Sequence, residues 1–151
     1  KRVYEYHGAE HKSIYAYENK MELTPENAKG FTTLHPRCGT SFLLIVMLIS
    51  IIVFSCMDFI LPVPVNGIER VIIKVVLRVI LMPLIAGISY EIQRYSSNHL
   101  DKVWVRALAF PGLSLQRITT KEPDLLQLEV AIVAIKAALG ENVENATEIE
   151  G

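Results

Sequence analysis

The sequence predicts an all-α integral membrane protein, in which two hydrophobic helices form a hairpin and a polar helical subdomain lies on one side of it. Hydrophobic residues make up 51% of the 151 residues, and they concentrate in two segments, 41–61 and 68–90. The first, SFLLIVMLISIIVFSCM, carries no charge before Asp58 and approaches the roughly 17–25 residues that a spanning helix needs. Within the hydrocarbon core of a membrane, backbone N–H and C=O groups must form their hydrogen bonds inside the protein, which favours helices.

The N-terminal segment, residues 1–41, is predicted to begin with a helix from Val3 to about Asn19. Apolar side chains recur there at helical spacing, namely Val3, Tyr6, Ile14 and Tyr17. Gly8 weakens the helix by about 1 kcal/mol relative to alanine. Thr24 and Pro25 are typical of the N-cap and first position of a second, short helix. TTLHPRCGT (32–40) is then predicted to be a loop.

The hydrophobic hairpin is predicted for residues 42–90. LPVPVNG (61–67) interrupts it with two prolines and a glycine, and Pro83 is expected to kink the second helix. Three basic residues, Arg70, Lys74 and Arg78, recur at every fourth position and therefore share a face. They either snorkel to the membrane surface or line a polar interior and pair with Asp58. Lys74 and Arg78 have no obvious partner within the hairpin, so we expect upstream helices of the same precursor or a homo-oligomer to cover them.

Amphipathic helices are predicted for residues 91–140. The first runs over 98–110, carries Trp104 and ends at FPGLSLQ. The second, 123–139, places four apolar side chains on one face, namely Leu125, Leu128, Ile132 and Ile135. Gly140 ends it in the usual C-terminal position, and residues 141–151 are expected to be a flexible acidic tail.

The charge and the cysteines exclude some classes of protein. The formal net charge is −1, so no basic excess exists to neutralise phosphates, and a nucleic-acid partner is not expected. The two cysteines are Cys38 and Cys56, and the second lies inside an apolar run. A disulfide between them is therefore not expected.

The stretch YHGAEHK places His7 and His11 one helical turn apart, with Glu10 between them. Two imidazoles at this spacing face the same way and can chelate one zinc ion. The order H-x-x-E-H inverts the more familiar metalloprotease order, and its glutamate takes a proton from water instead of binding the metal. The alternative is two surface histidines on a polar helix face.

A hairpin returns the chain to the side from which it entered. The histidines, Cys38 and several carboxylates outside the hydrophobic segments can then meet on one face; these are His7, Glu10, His11, His35, Cys38, Glu91, His99 and Glu122. Glu91, in GISYEIQR, can complete a catalytic set of two histidines and one carboxylate. Its alternative role is an interfacial ion pair with Arg94.

The loop LHPRCGTSF offers a different set of ligands. His35 and Cys38 can close a four-ligand structural site with the first two histidines, or the loop can simply cap the membrane helix. Arg37 can bind an anionic substrate or a lipid headgroup. The later stretch TTKEP (119–123) is explained by helix capping alone.

Four motifs, YHGAEHKSIYAYE, LHPRCGTSF, ISYEIQR and LQRITTKEPDLLQLEVAI, resemble those of bacterial YqhQ-like membrane proteins. That family carries a domain of unknown function and is described as predicted metal-dependent enzymes; its members have an additional N-terminal portion. The resemblance implies a multi-spanning helical membrane protein with a metal site. The residues in matching motifs are His7, Glu10, His11, His35, Arg37, Cys38, Glu91, Thr119, Thr120, Glu122 and Pro123. On this basis Glu122 becomes an alternative metal ligand, or a carboxylate that contacts a metal ligand and not the metal itself.

The function expected from the sequence is a membrane-embedded metal-dependent hydrolase, of HxxEH type and with Zn²⁺ as the expected ion, at the membrane–cytoplasm interface. His7, His11 and Glu91 are the expected ligands, with His35, Cys38 and Glu122 as alternatives; Glu10 is the general base, and Arg37 orients substrate. The alternative is a non-catalytic scaffold or transporter-like protein with a structural metal. The expected location is the bacterial cell membrane, multi-pass, with both termini cytoplasmic. Lys29 and Arg37 favour that orientation, whereas Arg70 favours the opposite one.

Overall fold

The computed structural model describes residues 1–60 and 67–141, and every regular element in those ranges is an α-helix. The helices are α1 (Arg2–Glu18), α2 (Pro25–Lys29), α3 (Gly39–Ile60), α4 (Ile68–Asn98), α5 (Val103–Thr119) and α6 (Leu125–Ala138). The predicted all-α fold with two long apolar helices is confirmed. The predicted interruption at 61–66 and the tail from residue 142 onward lie outside the described residues.

The chain divides into two compact units. One, which we call the histidine unit, comprises Lys1–His35 and Ser114–Gly151; the other, the hairpin unit, comprises Pro36–Leu113. The histidine unit therefore contains α1, α2, α6 and the last turns of α5, while α3, α4 and the start of α5 belong to the hairpin unit. Residues from both ends of the chain form the histidine unit.

Small side chains let the helices of the histidine unit pack closely. Its core contains Ala9, Ala16, Ala28, Leu128 and Ile132, all buried, where α1 packs against α6 and α2. Because an alanine side chain occupies little space, these helices lie close together, and polar side chains next to the alanines are buried as well. The apolar residues that predicted α1 point outward instead: Val3, Tyr6 and Tyr17 are exposed.

The helix ends of the histidine unit follow local sequence rules, with one correction. Thr24 caps α2 by accepting from the Asn27 amide at 3.3 Å, as predicted. The prediction that residues 119–123 only cap a helix is wrong. Asp124 caps α6, in a capping box with Gln127, and the preceding residues contact α1.

The hairpin unit packs α3 and α4 antiparallel. At one end the Asp58 carboxylate pairs with Lys74 at 3.0 Å and with Arg78 at 3.1 Å. At the other end the Gln93 amide donates to the Cys38 carbonyl at 3.0 Å. The expectation that Lys74 and Arg78 lack a partner in the hairpin is wrong, because one carboxylate across the helix pair binds both.

The boundaries of α3, α4 and α5 differ from those predicted, and α5 begins at Val103 and not at residue 98. Both long helices are long and apolar enough to cross a membrane, but α3 begins at Gly39 and α4 continues to Asn98. The prediction that FPGLSLQ ends the next helix is wrong, since α5 continues through Pro111 to Thr119. A side chain at Gly112 would collide with Ser41, so α5 passes close to the first turn of α3 at that residue.

Candidate metal centre in the histidine unit

His7 and His11 lie side by side on α1. Their ring centroids are 4.4 Å apart at an interplanar angle of 67°, and one ring nitrogen of each lies within 4.8 Å of the other. His11 is only 2% exposed, whereas His7 is half-buried. His7 and His11 therefore share one face of α1, as predicted, and that face points into the protein.

Backbone carbonyls fix the tautomer of both histidines. Nδ1–H of His7 donates to the carbonyl oxygen of Thr119 at 2.9 Å, and Nδ1–H of His11 donates to that of Thr33 at 2.5 Å. A carbonyl oxygen can only accept, so Nδ1 of each ring carries the proton and Nε2 of the neutral ring carries a lone pair. Metal-binding histidines are typically oriented in this way, through the second ring nitrogen.

His35 brings a third imidazole next to the pair. Its ring centroid lies 5.7 Å from that of His11, and its Nε2 lies 3.5 Å from a carboxylate oxygen of Glu18. The fully buried Gln116 holds the loop in place, because its side chain accepts from the His35 amide and donates to the His35 carbonyl, both at 2.7 Å. Tyr15 adds a hydrogen bond to the neighbouring Leu34 carbonyl at 3.0 Å.

Gly8 brings the Thr119 carbonyl within reach of His7. The chain after α5 crosses α1 so closely that the Lys121 amide donates to the Tyr4 carbonyl at 2.8 Å. A Cβ atom at Gly8 would overlap the Lys121 carbonyl oxygen. From the sequence alone, Gly8 is only a weak point of the helix. In the structure it permits a close approach of two backbone segments, which is another common reason for glycine.

A buried ammonium ties the same segments together. Lys12 is 3% exposed, and its Nζ donates to the Glu122 carboxylate at 2.5 Å and to the Lys29 carbonyl at 2.9 Å. Glu122, proposed from the resemblance as an alternative ligand, is thus the partner of Lys12. Sequence reasoning missed Lys12 and Gln116, since one lysine and one glutamine carry no recognisable motif.

The remaining predicted site residues have simpler surroundings. Glu10 is exposed on α1. Arg37, Cys38 and Glu91 belong to the hairpin unit: Arg37 is exposed, the Cys38 thiol is buried 3.2 Å from the Thr40 hydroxyl, and the exposed Glu91 lies 3.8 Å from Arg94. The last pair matches the predicted interfacial ion pair.

The fourth histidine and the second cysteine stand apart from these groups. His99 stacks on Tyr95 with ring centroids 4.2 Å apart and belongs to the hairpin unit. No disulfide joins Cys38 and Cys56 in the part of the chain that the structure describes.

Fold and site together define a class: an all-helical protein with a pair of apolar helices and a separate unit in which backbone carbonyls orient two neighbouring histidines. The profile of the family described as "Protein of unknown function (DUF1385)" matches residues 1–141, and the chain belongs to that family. It is also 40% identical over 139 residues to the "Uncharacterized protein YqhQ" of Bacillus subtilis strain 168. That match covers 92% of this chain and 41% of the relative. No solved structure matches the chain.

Proposed function

We propose that the protein is a membrane-embedded, zinc-dependent hydrolase whose metal is bound by His7 and His11. The observation that carries the proposal is the pair of Nδ1–H bonds to the Thr119 and Thr33 carbonyls. Surface histidines on a polar helix face need no such fixed tautomer. Two rings locked with Nε2 lone pairs on one helix face are suited to chelation.

The exposure of the two long helices supports insertion into a bilayer. In the most apolar 18-residue window none of α3 and only 6% of α4 is buried. A core helix of a soluble protein would bury such a window, whereas a helix facing lipid exposes it. We place the hairpin in the bacterial cell membrane as a multi-pass protein, with the chain before α3 and the chain after α4 on the cytoplasmic side.

The proposed chemistry divides roles among a few side chains. Within the histidine unit, His7 and His11 hold the ion. Zinc held there would activate a bound water molecule by lowering its pKa to about 7. Glu10 would act as the general base for that water. Its exposed position on α1 allows it to pass that proton to solvent.

Metal analysis of purified variants tests the proposal. His7→Ala and His11→Ala should each lose the metal, because each removes one ligand. Glu10→Gln should keep the metal and lose about 10²- to 10⁴-fold in rate, the usual cost of removing a general base. His99→Ala is the matched control, since it removes an imidazole stacked on Tyr95.

The readouts are zinc content per chain and hydrolysis of a panel of peptides and lipid esters. Glu91→Gln and His35→Ala, compared side by side, identify the third ligand. Stoichiometric zinc in both His7→Ala and His11→Ala would refute the proposed centre.

A second candidate is a non-catalytic scaffold or transporter-like protein with a structural metal. The position of His35 beside His11 favours it, because a third imidazole in the histidine unit can help to close the ion off from substrate. Removing the metal with a chelator should then lower Tm, and no member of the substrate panel should be hydrolysed. Hydrolysis by the zinc-loaded chain would refute this alternative and favour the hydrolase.

A further inference from the structure

Gln116 is a fully buried polar side chain in the last turns of α5. Its Oε1 accepts from the His35 amide and its Nε2 donates to the His35 carbonyl, both at 2.7 Å. This closed pair needs a donor and an acceptor side by side, which the glutamine amide supplies and an apolar side chain of the same length does not. Because both bonds are buried, water does not replace them, and the loop is held at His35.

The loop that Gln116 holds also carries the carbonyl that orients His11. Thr33 lies two residues before His35, and its carbonyl oxygen accepts from Nδ1–H of His11 at 2.5 Å. The Tyr15 hydroxyl donates to the carbonyl of the intervening residue at 3.0 Å. Each residue has only two soft backbone dihedrals, so a chain that is fixed at both following residues leaves the Thr33 carbonyl little freedom. The direction of that carbonyl therefore depends on Gln116.

His7 is oriented from the same helical turn through a different bond. Gln116 and Thr119 are three residues apart and share a face of α5. Thr119 is the last residue of α5, so its carbonyl has no partner within the helix, and it accepts from Nδ1–H of His7 at 2.9 Å. That bond uses the backbone of α5 and not the side chain of Gln116. A substitution of Gln116 should therefore change the surroundings of His11 and leave those of His7 intact.

We infer that Gln116 is a positioning residue that fixes the tautomer of His11. It acts through the loop, because it keeps the Thr33 carbonyl against Nδ1–H so that Nε2 presents its lone pair. The consequence for zinc rests on the proposed function. The tautomer itself is a property of the metal-free chain and is measured without zinc.

Nitrogen NMR of the imidazole rings tests this inference. The full chain is labelled with ¹⁵N-histidine, purified in detergent without metal and kept in mildly alkaline buffer, in which ordinary imidazoles are neutral. Long-range ¹H–¹⁵N correlation spectra then show which ring nitrogen carries the proton. The variants His7→Ala and His11→Ala assign the two signals. In the wild-type chain both rings should show a protonated Nδ1.

Gln116→Met keeps the length of the side chain and removes both hydrogen bonds to the loop. We expect its His11 signal to become an exchange-averaged mixture of the two tautomers, while His7 keeps its proton on Nδ1. Gln116→Asn is a milder second variant, which retains the amide but is one methylene too short for both bonds, and it should shift the His11 signal in the same direction.

Gln127→Met is the matched control in the same unit. Gln127 is 4% exposed, and its side chain caps α6 and donates to Glu5 at 3.0 Å. The control therefore removes the hydrogen bonds of a buried glutamine that does not hold the loop. Both His7 and His11 should keep a protonated Nδ1 in this variant.

The two rings together decide the outcome. A pure Nδ1–H signal for His11 in both Gln116 variants would overturn the inference. An equal change of His7 and His11 would do the same, because it would show a general loosening of the unit. If Gln116→Met loses helix content by circular dichroism, the Gln116→Asn spectrum decides. Loss of helix content in both variants would also overturn the inference, since Gln116 would then be required for folding and not for orienting one ring.

Zinc titration separates this inference from the proposed metal centre. Gln116→Met should bind zinc about 10- to 100-fold more weakly than the wild-type chain, the usual cost of losing a residue that orients a metal ligand. If the wild-type chain binds no zinc but the His11 tautomer changes as expected, the metal centre is wrong and the positioning role of Gln116 stands. If both chains bind zinc with equal affinity, the role of Gln116 in metal binding is wrong.

Discussion

Substituting alanine for Gly8 tests the packing that orients His7. A Cβ atom there would overlap the Lys121 carbonyl oxygen and would also press on the Thr33 methyl group at 3.2 Å. The segment after α5 must then move away from α1. That movement breaks the Lys121–Tyr4 backbone hydrogen bond and withdraws the Thr119 carbonyl from the His7 ring.

Opposing contributions determine the expected change in stability. Alanine gains about 1 kcal/mol of helix propensity over glycine. Overpacking against a backbone atom costs about 1–3 kcal/mol, and a lost hydrogen bond costs about 0.5–1.5 kcal/mol. The net effect of Gly8→Ala is a destabilisation of about 0.5–3.5 kcal/mol, which for a chain of this size lowers Tm by about 1–14 °C.

Thermal unfolding of the detergent-solubilised chain, followed by circular dichroism, measures this change. Gly30→Ala is the control in the same unit: Gly30 has ordinary helical φ and ψ, and an added Cβ would meet its nearest atom at 3.8 Å. It should leave Tm unchanged or raise it slightly. An equal or higher Tm for Gly8→Ala would refute the reasoning.

Two further predictions concern the ion pairs. Glu122→Gln should destabilise the chain more than Lys12→Met, because the first leaves the buried Lys12 ammonium without its carboxylate, while the second removes the charge and keeps the apolar stem. The reverse order in chemical denaturation would contradict a stabilising ion pair between Lys12 and Glu122. Asp58→Asn should lower Tm, since Lys74 and Arg78 lose a shared, partly exposed counter-ion. A Tm equal to that of the wild type would show that neither pair contributes.

The sequence predicted most of the helices because their signals are local. Hydropathy located α3 and α4, and apolar spacing with Gly140 located α6. The His7–His11 pair followed from helical periodicity, since residues four apart share a face wherever the helix lies. The end of α5 was predicted incorrectly. The helix continues through the local stop signal at Pro111, next to the close approach of Gly112 to Ser41 of α3.

Tertiary structure decided which side of α1 is buried and what surrounds its histidines. The apolar residues that marked the helix face outward, while His11 and Lys12 are buried, because the alanines between α1, α2 and α6 bring these helices close together. The carbonyls of Thr33 and Thr119 orient the rings, and neither could be read from the sequence, since every residue has a carbonyl and only the path of the chain brings these two to α1. Gly8 is a second example. Its sequence context shows only a poor helix former, whereas in the structure the Lys121 carbonyl lies so close that no side chain fits at this position.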